Sequence, residues 1–455
     1  MEFHPQPQPG AAKPWAFPAP ERGTLSNGLT VLRCHRPGQQ IVAVDVVLDA
    51  PLDTEPEGLD GVSTIMARAF TEGTDKHSAE EFAAELERCG ATLDAHADHP
   101  GLRISLEVPV SRLPKGLALL ADALRAPAFE DSEIKRLVRN RLDEIPHETA
   151  NPARRAAKEL YKQLFPAEAR MSRPRQGTEE TVARIDAAAV RKFYDAHIRP
   201  ATATVVVVGD LEGADLDAML AETLGEWTGN TAEQRPAAPI TADDTGRVFI
   251  VDRPGAVQTQ LLIGRIGADR HDQVWPAQVL GTYCLGGTLT SRLDRVLREE
   301  KGYTYGVRAF AQVLRSAADG SGAAMLAISG SVDTPNTGPA LDDLWKVLRT
   351  LAAEGLTDPE RDVAVQNLVG VAPLRYETAA AVAGTLADQV EQQLPDDFQA
   401  ELYRRLAETG TVEATAAVVS AFPEDRLVTV LVGDADQIAE PVKALGIGEV
   451  TVVTG

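Results

Sequence analysis

The segment TATVVVVGDLEGADLDAML (202–220) is echoed at 426–445 by RLVTVLVGDADQIAEPVKAL, with the Val-Gly-Asp triplets 224 residues apart (432 against 208). A second pair keeps nearly the same offset. RPGQQIVAVDVVL (36–48) returns as RPGAVQTQLLIG (253–264), the Arg-Pro-Gly triplets lying 217 residues apart (253 against 36). Either triplet alone means little. Four landmarks that keep their order and spacing mean an internal duplication, with each half holding one complete domain. A chain of 455 residues also exceeds what one ordinary core supports.

Within each half the pattern is mixed. Residues 28–34 and 41–49 read as Val-rich strands bounded by Asn-Gly and Pro-Gly turns. GVSTIMARAF (61–70) reads as a buried helix, and SAEEFAAELERCG follows it with a capping box from Ser78 to Glu81 and Gly90 at its end. A strand pair, ATLDAHADHPGLRISLEVP, comes next, and then long Ala/Leu/Arg/Glu-rich helices from 111 to 197. The run TATVVVVG is continuous rather than alternating, which predicts a central strand buried on both faces. Together these predict an α+β chain: two homologous α/β sandwich domains, each a mostly antiparallel sheet with helices packed on one face. The expected limits are an extended proline-rich arm over 1–22, a first domain over 23–227, a linker over 228–246 and a second domain over 247–455. The linker, TGNTAEQRPAAPITADDTG, lacks apolar periodicity.

Composition narrows the partners. A formal charge of -22 argues against nucleic acid and anionic membranes, both of which need basic patches. The N-terminal arm has no hydrophobic signal core, and Cys34, Cys89 and Cys284 form no Cys-x-x-Cys pair. Buried free thiols and a cytoplasmic location are the expectation.

The chemistry-bearing stretch of the second half is YCLGGTLTSRLDRVLREEKGYTYGVRAF (283–310). A Gly286-Gly287 turn leads into a helix of about ten residues with Leu293, Val296 and Leu297 on one face. Gly302 breaks it, and YTYGVRAF alternates as a strand. Arg298 and Tyr305 could then present a guanidinium and a phenol to one side of a cleft, a donor pair suited to a peptide carbonyl and its oxyanion. The plainer reading is an i,i+4 pair of Asp294 with Arg298 that supports a helix end. His96 and His99, with Asp94 and Asp98, fit a polar hairpin tip better than a metal site.

These motifs, with LSNGLTVL (25–32) and EPEGLDGVSTIMARAFTEGTDKHSAEEFAAELERCGATLDAHAD (55–98), resemble the pitrilysin/insulinase family of zinc peptidases. The similarity is greatest to two-domain subunits like those of mitochondrial processing peptidase and its bacterial relatives. It runs from about residue 23 to the C-terminus. Active members carry an inverted His-x-x-Glu-His signature where this chain has TIMAR (64–68). The resemblance puts the first zinc ligand on Thr64, the general base on Ala67 and the second ligand on Arg68. The third, 76 residues on (144 against 68), falls on Glu144, which is present. A zinc site needs three protein ligands and a water-activating base, so no metal is expected in this chain, and Arg68 is expected to pair with Glu144.

By the same resemblance the family's substrate-binding Arg and Tyr correspond to Arg298 and Tyr305. It implies a non-zinc subunit of a heterodimeric zinc endopeptidase. A homologous partner would supply zinc and base, while this chain supplies Arg298 and Tyr305, with Gly286 and Gly287 as substrate-binding glycines. An extended peptide would be held partly by strand addition, for which the first-domain edge falls at about Thr92 to Ala97. The alternative is an inert scaffold, as in the core subunits of a respiratory complex that share this fold.

Overall fold

The computed structural model describes residues 15–229, 240–315 and 321–454. The arm as far as Pro14 and residues 230–239 of the linker lie outside the described residues. Six strands make the first sheet: β1 (Glu21–Thr24), β2 (Thr30–His35), β3 (Ile41–Leu48), β4 (Thr92–Asp98), β5 (Gly101–Pro109) and β6 (Ala203–Gly209). Six more make the second: β7 (Arg247–Asp252), β8 (Gln258–Gly267), β9 (Val307–Arg315), β10 (Ala323–Asp333), β11 (Val428–Gly433) and β12 (Glu449–Val453).

The orders are β1-β2-β6-β3-β5-β4 and β12-β7-β11-β8-β10-β9. From the second position onward the two sheets are the same, strand for strand, as the duplication predicts. Only the outer position differs. An N-terminal strand fills it in the first sheet, antiparallel to β2, and a C-terminal strand fills it in the second, parallel to β7.

The two repeated triplets prove to be the two sides of one hydrogen-bonded device. The Asp210 carboxylate accepts the Gly38 N–H at 2.9 Å, and Asp434 accepts the Gly255 N–H at the same 2.9 Å. Alongside them the Arg36 N–H donates to the Gly209 carbonyl at 2.7 Å, and the Arg253 N–H to the Gly433 carbonyl at 2.8 Å. Gly38 and Gly255 sit at φ 82° and 73°, where a side chain would be strained. The acid that follows the central strand thus sets the turn that launches its neighbour, once in each half.

One face of each sheet is covered by that half's own helices. The other face is covered by exchange. Helix Pro152–Leu164, from the first half, lays Ala156, Leu160 and Leu164 on β8 and β11 of the second sheet, against Leu262, Val428 and Val430. Helix Ala379–Glu391, from the second half, lays Val382, Ala383 and Leu386 on β3 and β6, against Ala43, Val47, Val206 and Val208. This is why β3 and β6, Asp45 and Thr204 excepted, are apolar without alternation: both their faces are buried.

Polar and aromatic contacts close the same seam. Trp15 stacks on Tyr376 at 5.6 Å, Phe17 meets the same ring edge-on at 4.9 Å, and the Tyr376 and Tyr403 hydroxyls lie 2.9 Å apart. Arg103 of β5 reaches Glu391 at 2.9 Å and also Asp388, both on the exchanged helix. Cys34, Cys89 and Cys284 are buried and unpaired. Among the described residues no helix is long and apolar enough to cross a membrane.

Because neither sheet is covered without the other half, both halves should unfold in one urea transition followed by fluorescence and circular dichroism. L160A, in the first half, is expected to cost about 2–5 kcal/mol and to lower the stability of the second sheet by hydrogen exchange.

Candidate functional site

Helix Val62–Ala69 starts at Gly61, whose φ of 100° and close approach to the Gln176 carbonyl exclude a side chain there (an added Cβ would lie 2.8 Å from that oxygen). The acidic loop before it has a structural task. The buried Glu55 carboxylate accepts the Gly61 N–H at 3.0 Å and the Ser63 N–H and hydroxyl at 3.1 and 2.6 Å, so it holds the first turn of the helix. Arg170 donates to its other oxygen at 2.9 Å. Burial raises the Glu55 carboxyl, and Arg170 opposes the rise.

Seven of the helix's eight residues are buried, the exception being Arg68. Its guanidinium forms a two-pronged pair with Glu144, from helix Asp131–Ala150, at 2.8 and 2.9 Å. Arg141, buried beneath, donates to Glu144 at 3.2 Å and to both oxygens of Glu148 at 3.0 and 2.8 Å. Hydrogen bonding from Arg68, then its charge and Arg141, holds the Glu144 carboxyl below the usual range. Thr64 is buried and its hydroxyl has no hydrogen-bond partner, while Ala67 brings only a methyl group.

Zinc does not fit this donor set. It would meet a hydroxyl, a methyl group, a fixed cation and a carboxylate whose two oxygens are already engaged, where three ligands and a base are required. Among the described residues no group of three or more His, Cys, Asp or Glu could hold a metal ion.

The second-half stretch departs from the sequence reading in three ways. Helix Trp275–Gly286 ends on Gly286, and Gly287 caps it, so the glycines close one helix rather than form an open turn. Gly286 is needed for packing, since an added Cβ would lie 2.3 Å from the Ala309 nitrogen. The next segment is not a ten-residue α-helix but one turn, Arg292–Asp294, running into a π-helical stretch, Arg295–Glu300. The strand begins only at Val307, leaving Tyr305 in the preceding loop.

Asp294 ties the π-helical segment to the start of the following strand. Its carboxylate is buried and does not pair with Arg298. One oxygen accepts the Val307 N–H at 2.8 Å and the other meets the Arg308 guanidinium. That buried contact outweighs the weak i,i+4 pairing of an exposed helix. The wider turn is a feature often found at functional sites.

Arg298 lies half-buried in this wider turn, and its guanidinium makes no hydrogen bond or ion pair with the described residues. Tyr305 is 92 % exposed, with Leu289 and Phe310 also among the large exposed apolar residues. Behind them Arg292 anchors the segment, gripping Glu360 at 2.6 and 2.8 Å and the Gly355 carbonyl at 2.6 Å. Sequence spacing does not reveal the roles of Glu55 and Glu360, and it pairs Asp294 with the wrong partner. For Glu360 a signal existed, the capping box from Thr357.

Residues 30–178 match the family described as Insulinase (Peptidase family M16), and residues 184–368 match Peptidase M16 inactive domain. The chain belongs to the M16 peptidase family. An uncharacterised zinc protease of Bacillus subtilis (strain 168) is 23 % identical, over 79 % of this chain and 85 % of that one. One from Mycobacterium tuberculosis (strain H37Rv) is 27 % identical, over 82 % and 84 %. In fold the chain matches a peptidase M16 inactive domain from Pseudomonas fluorescens, with TM-score 0.82, 21 % identity, and 91 % and 98 % covered. It matches a protease from Helicobacter pylori with TM-score 0.82, 18 % identity, and 92 % and 100 % covered.

Two outcomes test the site's architecture. Zinc added to the wild-type chain is expected to be lost on dialysis. The triple variant T64H/A67E/R68H, which frees Glu144, is expected to retain about one zinc per chain by elemental analysis. The second test is acid stability. Burial alone would raise Glu360, but Arg292 and the Thr357 N–H and hydroxyl outweigh it and hold the carboxyl at about 2. An unfolded glutamate titrates near about 4.3, so the folded value is depressed. The contribution is therefore complete above about pH 4.3 and is lost as pH falls toward about 2. It is on the order of 2 kcal/mol, allowing for the side chain's 22 % exposure. E360Q should flatten the fall in denaturation free energy over that window.

Proposed function

We propose that the chain is the non-zinc subunit of a heterodimeric zinc endopeptidase, contributing Arg298 and Tyr305 to a site whose zinc and base come from a homologous partner. One observation carries this reading. Arg298 and Tyr305 have no bonding partner among the described residues, and Tyr305 is almost wholly in solvent. A scaffold gains nothing from holding a free guanidinium and a bare phenol on an anchored turn. The first half supports the same division of labour, because Arg68 occupies Glu144 where a metal ligand would have to be free.

In the assembled site the Arg298 guanidinium and the Tyr305 hydroxyl would hold the carbonyl of an extended peptide and stabilise the oxyanion that forms when water attacks it. Gly286 and Gly287, which this reading would count as substrate-binding glycines, end the helix that precedes the segment. The inert scaffold remains the competing reading. The unpaired thiols suit a reducing compartment, and we place the protein in the cytoplasm. The charge of -22 suits neither nucleic acid nor an anionic membrane as partner.

The test uses the complex purified from its source. R298A and Y305F should each lower peptide cleavage by about 10²–10³ while zinc content and particle mass stay unchanged. Full activity in the double variant, or a zinc-free particle of this chain alone, would leave the scaffold.

A further inference from the structure

A cavity of about 370 Å³ opens between the two halves, where the outer strand of each sheet comes to the seam. β4 and β5 line it through His96, His99 and Arg103, and β9 lines it through residues 311–314. We infer that this cavity is a binding site for a small carboxylate or phosphate anion, held by the Arg270 guanidinium and the His99 imidazole.

The inference rests on which wall groups are already engaged. Arg103 is already engaged: it donates to Glu391 at 2.9 Å, to Asp388, and to the Gly384 carbonyl at 3.3 Å. Asp388 and Glu391 are engaged by the same contacts. Asp98 pairs with Arg175 and accepts the His99 N–H at 2.7 Å. Arg270 is different. It is half-buried at the cavity wall and makes no hydrogen bond or direct ion pair with any described residue. Asp388 and Glu391 act on it only at longer range, and burial pushes its pKa below the usual arginine value.

His99 is the second wall residue with an unengaged polar atom, a buried ring nitrogen. It is 9 % exposed, stacks its ring on Tyr161 at 6.5 Å and 8°, and leaves Nε2 without a partner. Burial depresses it to about 4, so at neutral pH it is an uncharged imidazole able to donate one hydrogen bond. The polar hairpin tip expected from the sequence is thus half right: the strands turn here, but His99 is turned inward.

The charges decide the ligand's sign. Asp98, Asp388 and Glu391 are balanced by Arg103, Arg175 and Arg270, and Arg270 alone among these cations lacks a contacting anion. A half-buried guanidinium without a contacting anion gains from one, and its planar fork matches a carboxylate or a phosphate. A cation would have to displace Arg103 or Arg175 from contacts already made. The free edges of β4 and β9 leave backbone groups for whatever the anion is attached to. Nothing in this site depends on Arg298 or Tyr305.

Calorimetric titration of the full chain at low ionic strength tests it, with inorganic phosphate, succinate and tri-alanine, the last with either a free or an amidated C-terminus. Saturable binding of at least one probe is expected, weakened about tenfold or more in R270M, on the scale of a lost charge-assisted hydrogen bond. Binding of free but not amidated tri-alanine, without phosphate or succinate, assigns the anion to a peptide end; binding of phosphate or succinate assigns it to a free small anion. H99F, which keeps the ring stacking and removes Nε2, asks the same question should R270M lose its cooperative melting. No saturable heat with any probe, or affinity unchanged in the folded variants, overturns the assignment.

Discussion

The structure depends on covering the second face of each sheet with a helix borrowed from the other half. A six-stranded sheet clothed on one side only would leave Val206, Val208 and Ala43 in water in the first half, and Leu262, Val428 and Val430 in the second. Helices Ala379–Glu391 and Pro152–Leu164 remove that exposure reciprocally. Apolar burial is the dominant favourable term in folding, so the exchange ties the stability of the halves together. The Arg103 contacts and the Trp15–Tyr376 stack add direction to a seam whose energy is mainly apolar.

On this frame the two halves have taken opposite courses. In the first, the Arg68 guanidinium pairs with Glu144, which is drawn into a chain of pairs through Arg141 to Glu148 and Arg154. These charges are paired within the chain, and the neutral Thr64 hydroxyl beside them is left without a hydrogen-bond partner. In the second, Asp294 and Glu360 work to keep a segment fixed whose Arg298 and Tyr305 have no bonding partner among the described residues. The Arg68 cluster is paired inside the chain, whereas Arg298 and Tyr305 face outward.

Much of this was legible in the sequence. The duplication could be read because the Arg-Pro-Gly and Val-Gly-Asp triplets perform one backbone task that only those residues perform: an acid that accepts a turn N–H and a glycine at positive φ. The burial of β6 on both faces was visible as an unbroken run of valines, but not what buried it. Amphipathicity tells that Pro152–Leu164 has an apolar face, never whose sheet receives it. The π-helical stretch was invisible for a similar reason. Local spacing favoured Asp294 with Arg298, and the partners that won, Val307 and Arg308, are brought there by the fold. Glu55 looked like one more acid in a charged loop, because nothing in sequence marks a carboxylate that will cap a helix from outside it.

The borrowed helices also settle where this molecule can bend. A hinge between the halves would have to drag Leu160 across β8 and Leu386 across β3 at once, in opposite senses, breaking both packed faces to gain any opening. Interlocked in this way, the chain is mechanically one jaw. A long, flexible ligand would meet the two halves as a single packed body.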